Sequence, residues 1–402
     1  MGKNANFIGQ PIFSQLLKYI PRHKINSLSK QVGSDHYVKH FKTYEHLVSM
    51  LYSCFHNCRS LREVVTGMMA CHQRINHLGL MTHPKRSTLS DANNRRDSAV
   101  FEQIYLMLLR RYKGLLSDSC VKGRLDNRLF IADSTTISLF QEVLKNVGTK
   151  SMNGRRKGGI KVHTLIRADQ DVPCLIRMTS AAASDNPFLK EINLPQGSVL
   201  VFDKGYKSHQ QYQRLSEDGI TWVTRKNTNG AVEVLESKKV DSQQSENGVL
   251  SDELILLGNA TNKKQIRVQA RLIIYHDAVT NKRFEFITNN MKMKASTIAQ
   301  LYQRRWQIET LFKRLKQNNQ LSYFLGDSEN AIRIQIWCAM ISDLIIKLIQ
   351  NKVKRPWAFA NLSSMLRIHL MTYTSLINFL ENPEKLIRDQ QPVIQLSIFS
   401  SS

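Results

Sequence analysis

The run Tyr302-Gln-Arg-Arg-Trp-Gln-Ile-Glu-Thr-Leu-Phe-Lys-Arg-Leu-Lys316 sets a phenol, a guanidinium, a carboxylate and an ammonium at helical spacing. At about 100° per residue, Tyr302, Arg305, Glu309 and Lys316 share an arc of roughly 60°. Leu301, Ile308, Leu311, Phe312 and Leu315 fall on an adjacent flank. The pattern predicts one helix that packs on a core along one stripe and presents the four functional groups along the other. A single acid among phosphate-binding groups suits a metal-dependent reaction on a nucleic-acid backbone. A basic amphipathic helix with an incidental acid would look the same, so Glu309 needs partners from elsewhere in the chain.

Two short apolar runs supply them. Leu129-Phe-Ile-Ala132 leads into Asp133-Ser-Thr-Thr, and Ser198-Val-Leu-Val-Phe202 leads into Asp203-Lys-Gly-Tyr206. Both read as buried strands ending in a carboxylate, and ligands of open sheets gather outside the carboxyl ends of strands. Asp after a strand is also an ordinary turn or cap residue. With Glu309, however, three oxygen donors come from distant parts of the chain. Mg²⁺ takes one or two carboxylates and leaves its other positions to water and phosphate. Two such ions can serve an in-line phosphoryl displacement.

The elements that must position these groups change texture along the chain. Residues from about 11 to 115 read as helices, including Tyr44 to Cys58 and a helix opened by the capping box Ser60-Leu-Arg-Glu63. The polar run from Ser87 offers Asn93, Asn94, Arg95 and Arg96, residue types that read base edges and grip phosphates. It is expected to be a helix-turn-helix-like DNA reader, against the plainer alternative of a solvated connecting helix. Strands follow: a hairpin of 159–166 and 172–180 turning at Ala168-Asp-Gln-Asp171, the run before Asp203, then helix and strand to Thr224. This order predicts an α/β mixed sheet with helices on both faces. A strand-rich insertion then precedes the Glu309 helix. The expected domains are 1–120 helical and DNA-binding, 121–228 the first part of the core, 229–290 a β-rich insertion, 291–320 the Glu-bearing helix, and 321–402 C-terminal helices with a disordered Ser-rich tail.

Composition narrows the partners. The 402 residues carry 57 Lys+Arg against 32 Asp+Glu, a formal net charge of +25. That excess points to a polyanion, nucleic acid before membrane. The most apolar helix, 336–349, contains Asp343 and Lys347 and repeats at core-helix spacing. The N-terminus has no secretory apolar region. Cys54, Cys58, Cys71, Cys120, Cys174 and Cys338 form no disulfide framework, which suits a reducing cytoplasm. A zinc site at Cys54, Cys58, His56, Cys71 and His72 is conceivable, but the spacing matches no ribbon or finger pattern, and buried cysteines are common in helical cores.

The Tyr302, Arg305, Glu309, Lys316 spacing resembles the signature of bacterial DDE transposases of the insertion-sequence-4 family. Asp133 in Ala-Asp-Ser-Thr and Asp203 in Asp-Lys-Gly-Tyr match its two other anchors, and Lys161 and His163 match its Lys-x-His strand. The likeness covers residues from about 128 to 320. The N-terminal helices more weakly resemble a poorly characterised domain that precedes some of these enzymes. The resemblance implies a ribonuclease H-like core with a β-rich insertion, and a cytoplasmic, nucleoid-associated protein. It implies that Asp133, Asp203 and Glu309 hold two Mg²⁺, with Mn²⁺ as a substitute. Tyr302, Arg305, Lys316, Lys161, His163, Lys204 and Tyr206 would contact DNA. It further implies cut-and-paste transposition through a hairpin intermediate, on double-stranded DNA, by a homodimer. An aromatic residue of the insertion would hold a flipped base; Trp222, Tyr275, Phe284 and Phe286 are candidates, each reading more readily as core. The alternatives are an element-end binding protein without chemistry and a nuclease of the same core without strand transfer.

Overall fold

The computed structural model describes residues 9–116, 128–138, 150–152, 155–157, 159–228, 230–258, 266–318, 321 and 323–384. Cys120 and the Ser-rich tail lie outside them. The chain divides into two compact units, Met1–Leu116 with Leu315–Ser402, and Ser117–Arg314. The division falls within one helix.

The first unit is helical. It begins with α1 (Ile12–Leu17), α2 (Arg22–Val32), α3 (Thr43–His56), α4 (Leu61–Ala70), a 3-10 turn (His72–Leu78), α5 (Arg86–Arg95) and α6 (Ala99–Leu116). Ser60 caps α4 by accepting from the Glu63 N–H at 3.2 Å, as the sequence predicts. Glu63 instead reaches the Arg59 N–H.

The second unit holds a nine-stranded sheet and a separate two-stranded ribbon, β2 (Lys150–Met152) with β3 (Arg155–Lys157). Three antiparallel strands, neighbours in the sheet, form one edge of it: β1 (Leu129–Ser138), β4 (Gly159–Arg167) and β5 (Val172–Ser180). The β4–β5 hairpin turns through Asp171 in the left-handed region, φ 51°. After α7 (Asn186–Glu191), strand β6 (Val199–Phe202) inserts beside β1 and runs parallel to it. Beyond α8 (His209–Glu217), β7 (Thr221–Arg225) adds parallel to β6. All four residues of β6 are buried, as a strand covered on both faces requires. The order β5-β4-β1-β6-β7 is the ribonuclease H-like arrangement.

The insertion does not stand apart from this sheet. Its strands β8 (Val232–Lys238), β9 (Val249–Leu257), β10 (Val268–Asp277) and β11 (Lys282–Thr288), with the short α9 (Ser242–Glu246), continue it, because β11 pairs antiparallel with β7. Asp252 and Arg271, both nearly buried, join β9 to β10 through two hydrogen bonds. Arg271 also donates to the Asn290 carbonyl at 3.2 Å. It thereby ties the sheet to the segment that enters α10 (Ala295–Gln303).

The single helix predicted across 302–316 is broken. Helix α10 ends at Gln303 and α11 (Trp306–Asn318) begins after a turn at Arg304 and Arg305. Backbone bonds there run from Arg305 to Tyr302, from Gln307 to Arg304 and from Ile308 to Arg305. These i→i−3 bonds tighten the chain as a 3-10 turn does. The wheel angle between Tyr302 and Glu309 is therefore not that of one continuous helix.

The chain returns to the helical unit through α12 (Glu329–Lys352), α13 (Phe359–His369) and α14 (Leu376–Glu381). Helix α12 packs on α3, α5 and α6, with Trp337 and Tyr105 rings 5.7 Å apart. Among the described residues no helix is long and apolar enough to cross a membrane.

Candidate active site

Parallel pairing of β1 with β6 runs from Leu129↔Val199 to Ala132↔Phe202. The next residue on each strand is an aspartate, Asp133 and Asp203, so the two stand side by side where the pairing ends. The sequence placed Asp133 at a strand terminus. Strand β1 in fact continues to Ser138, held by β4 along its length, and Asp133 sits where β6 gives out. Chain ends of this kind leave space beyond the sheet for a ligand.

Helix α11 brings the third acid. Arg305 donates to Asp133 Oδ2 at 2.7 Å and to Glu309 Oε1 at 2.6 Å, joining the two carboxylates through one guanidinium. Arg225, the last residue of β7, lies 3.6 Å from Asp203 Oδ1. Tyr302 is buried, with Arg305 and Arg225 5.6 and 5.7 Å from its ring centroid and Phe286 against it. Burial raises the pKa of Asp133 to about 6; Arg305 and the Ser134 N–H oppose the rise, and Asp203 adds to it. Among the described residues no three acidic, His or Cys side chains converge closely enough to hold a metal as they stand. The reason is visible in part: a side-chain cation already bridges Asp133 and Glu309.

A fourth carboxylate escaped the sequence reading. Asp185 accepts from Ser134 Oγ at 2.8 Å, and Lys161 Nζ and His163 Nδ1 each lie 3.4 Å from its Oδ1. Oδ2 of Asp185 and Oδ2 of Asp203 each lie 3.5 Å from the point where a Cβ on Gly205 would stand. Asp185 lies five residues past the end of β5, after a Ser180-Ala-Ala-Ala-Ser184 stretch rather than directly behind an apolar run, so only its neighbours reveal it.

Several residues predicted to contact DNA turn inward. His163 is buried, hydrogen-bonded to Thr179 Oγ1 at 2.9 Å, and burial lowers its pKa to about 4. Lys161 donates to the Ala183 carbonyl at 2.7 Å. Tyr206 lies in the core between Phe188 and Phe202. In the helical unit Arg96 is buried, donating to the Phe41 carbonyl at 2.8 Å and to His46 Nδ1 at 2.9 Å. Asn93 is buried as well, bonded to His46 Nε2 at 2.7 Å. Asn93 and Arg96 thus lie buried around His46, which corrects the expectation that they stand on an exposed reading face. Asn94, Arg95 and Lys204 are exposed, and Lys316 is half-buried two turns beyond Glu309. Of the aromatic candidates, Trp222 is fully buried and stacked on Tyr212 at 4.7 Å, and Phe286 is buried. Tyr275 and Phe284, cross-strand partners, are half-buried. Cys54 and Cys58 are buried, and burial pushes both thiols up to about 12, which disfavours a zinc thiolate.

Fold and acids together define a ribonuclease H-like domain with a carboxylate cluster at the ends of its central parallel strands. Residues 124–342 match the family model described as a transposase DDE domain, and residues 8–81 match a domain of unknown function, DUF4372. A Sinorhizobium fredii protein named as transposase y4zB is 31% identical over 68% of this chain and 74% of its own length. A Synechocystis protein named as a transposase for insertion sequence element IS4SA is 28% identical over 71% and 77%. A piggyBac transposase synaptic complex with hairpin DNA has a TM-score of 0.44 at 10% identity, covering 96% of this chain and 81% of that one. The chain belongs to the DDE transposase family of bacterial insertion sequences.

Proposed function

We propose that this protein moves its own insertion sequence by cut-and-paste, cleaving both element ends and joining the freed 3′-hydroxyls to target DNA, with a hairpin intermediate at each end. The observation that supports it best is the pairing of Asp133 and Asp203 on adjacent parallel strands with Glu309 linked to Asp133 through Arg305.

The donor set fits hard divalent cations. All three acids offer carboxylate oxygens, and Asp133 and Glu309 already share one cation, the Arg305 guanidinium. We infer that Asp133, Asp203 and Glu309 hold two Mg²⁺, or Mn²⁺ in their place. Such ions activate an attacking oxygen and stabilise the leaving one. The chain's own side chains do the rest. Gly205 N–H holds Asp203 Oδ2 at 3.1 Å and Ser134 N–H holds Asp133 Oδ1 at 2.8 Å, which fixes both acids. Arg305, when it swings from Asp133 and Glu309, offers two donors to one phosphate, whereas Lys204 and Lys316 act as point charges. Tyr302 limits the guanidinium positions of Arg305 and Arg225 by lying beneath both. Two ends cut together call for a homodimer on double-stranded DNA.

The test uses the purified chain and a plasmid bearing its gene with both flanks. Mg²⁺-dependent double-strand breaks confined to the two borders, absent with Glu309→Gln, are expected, and added target DNA should gain joined ends. Border binding without breaks would replace this reading by an end-binding protein. Breaks without joining would replace it by a nuclease.

A further inference from the structure

The helical unit carries an open cavity of about 550 Å³ that the catalytic acids do not line. Its wall is formed by the start of α4, by α5 and by the segment before α12. Arg59, Arg62 and Arg86 line it, all three exposed, against one acid, Asp327. Ser60 and Leu61 add the N-terminus of a ten-residue helix, where Ser60 Oγ takes the Glu63 N–H and the N–H groups of Leu61 and Arg62, which have no intrahelical acceptor, favour anions. Phe324 contributes an aromatic wall. Beside it the Arg59 guanidinium lies 5.4 Å from the ring centroid of Tyr323, which is exposed.

A second observation points into the same space. Asn93 is 1% exposed and lines the cavity, and its Nδ2 has no hydrogen-bond partner among the described residues. The orientation of that amide follows from its neighbours. Arg96 can only donate, so its bond to His46 Nδ1 makes that nitrogen an acceptor. His46 Nε2 then carries the proton and donates to Asn93, which must present Oδ1 to it. The NH₂ of Asn93 is left beside Gly326, another lining residue, 3.9 Å from where a Cβ on that glycine would stand. A buried donor without a partner destabilises the folded chain, and an acceptor in the cavity would remove that penalty.

We propose that this cavity binds one nucleotide unit: its phosphate on Arg59, Arg62 and Arg86 at the α4 N-terminus, its base against Phe324 with an acceptor on Asn93 Nδ2. The volume lies in the range of small-molecule sites and exceeds the need of a bare phosphate. The source is a DNA strand gripped by the helical unit, a choice that rests on the transposase reading. A free nucleotide shares the chemistry, and the test separates the two.

The full-length protein is titrated into a short fluorescein-labelled DNA strand, alone and with dAMP as competitor. Two variants are compared. Ser90→Phe fills the cavity without changing charge, and Arg62→Glu reverses an exposed charge with little risk to folding; unchanged melting curves check both. Ser90→Phe should weaken strand binding about tenfold, as loss of one stacked base does. Arg62→Glu should lower the salt slope of strand binding by about 0.7, and dAMP should compete only where the cavity is open. If dAMP binding is lost in Ser90→Phe while strand affinity is unchanged, the ligand is a free nucleotide and the DNA source is overturned. If Ser90→Phe alters neither probe, the cavity proposal is overturned. Border cleavage is read independently. Intact cleavage with an indifferent cavity would leave the transposase reading standing, and strand binding through the cavity without cleavage would do the reverse.

Discussion

Asp133 and Glu309, 176 positions apart in the chain, accept hydrogen bonds from opposite arms of one guanidinium, at 2.7 and 2.6 Å from Arg305. The arginine thus occupies the gap between two acids that this reading assigns to metal. The side chains around it give the sharpest predictions.

Replacing Asp133 or Asp203 by Asn, or Glu309 by Gln, removes one oxygen ligand and little volume. Each change should lower border cleavage more than about 100-fold, since even outer partners of metal ligands cost 10–100-fold. Binding to element-end DNA, followed by gel shift, should stay within about twofold, because no positive charge is lost.

Arg305→Ala leaves Asp133, with 14% of its side chain exposed, beside Asp203 without its counter-charge. Without metal, the variant should melt earlier, by an amount corresponding to about 1–3 kcal/mol. Added Mg²⁺ should narrow the gap by replacing the lost cation. A gap that ignores Mg²⁺ would place the arginine's role in packing alone.

Asp185 gathers Ser134, Lys161 and His163, and Ser134 is the residue next to Asp133. Asp185→Asn should reduce cleavage by about 10–100-fold while leaving DNA affinity nearly unchanged, the pattern of a positioning residue. A loss of affinity with normal cleavage would return Lys161 to the DNA-contacting role first expected of it.

Buried His46 has its pKa lowered to about 3, first by burial, then by Arg96. A folded pKa below the unfolded value of about 6.5 means that the unfolded chain binds the extra proton. The stabilising contribution is therefore complete above pH 6.5 and is lost as pH falls from there toward 3, by up to about 1.4 kcal/mol per pH unit. Urea unfolding between pH 7.5 and 5 should show this slope, and His46→Gln should flatten it.

Asp252 and Arg271 are a nearly buried pair in the insertion. Asp252→Ala should destabilise the sheet unit by about 3–5 kcal/mol, because it strands a buried guanidinium. Arg271 also holds the Asn290 carbonyl before α10, so cleavage should fall in parallel with stability. Limited proteolysis across residues 289–294 would detect the loosened segment.

The sequence by itself marked Asp133, Asp203 and Glu309 as the candidate acids and gave most of the order of elements around them. Short apolar runs such as Val199–Phe202 make buried strands wherever the chain places them, and Asp203 after such a run is local information. The Ser60–Glu63 cap, the 159–180 hairpin and the insertion strands are local in the same sense: turn chemistry and period-2 alternation fix them. Tertiary structure decided what those patterns could not encode. It broke the 302–316 helix at Arg304, so that Arg305 reaches an acid on β1. It brought Asp185, which no pattern marks, behind Asp203. It also turned Asn93 and Arg96 inward around His46, although their run reads as a polar surface helix. A buried polar group must find its partners, and those partners come from distant positions that spacing along the chain does not reveal.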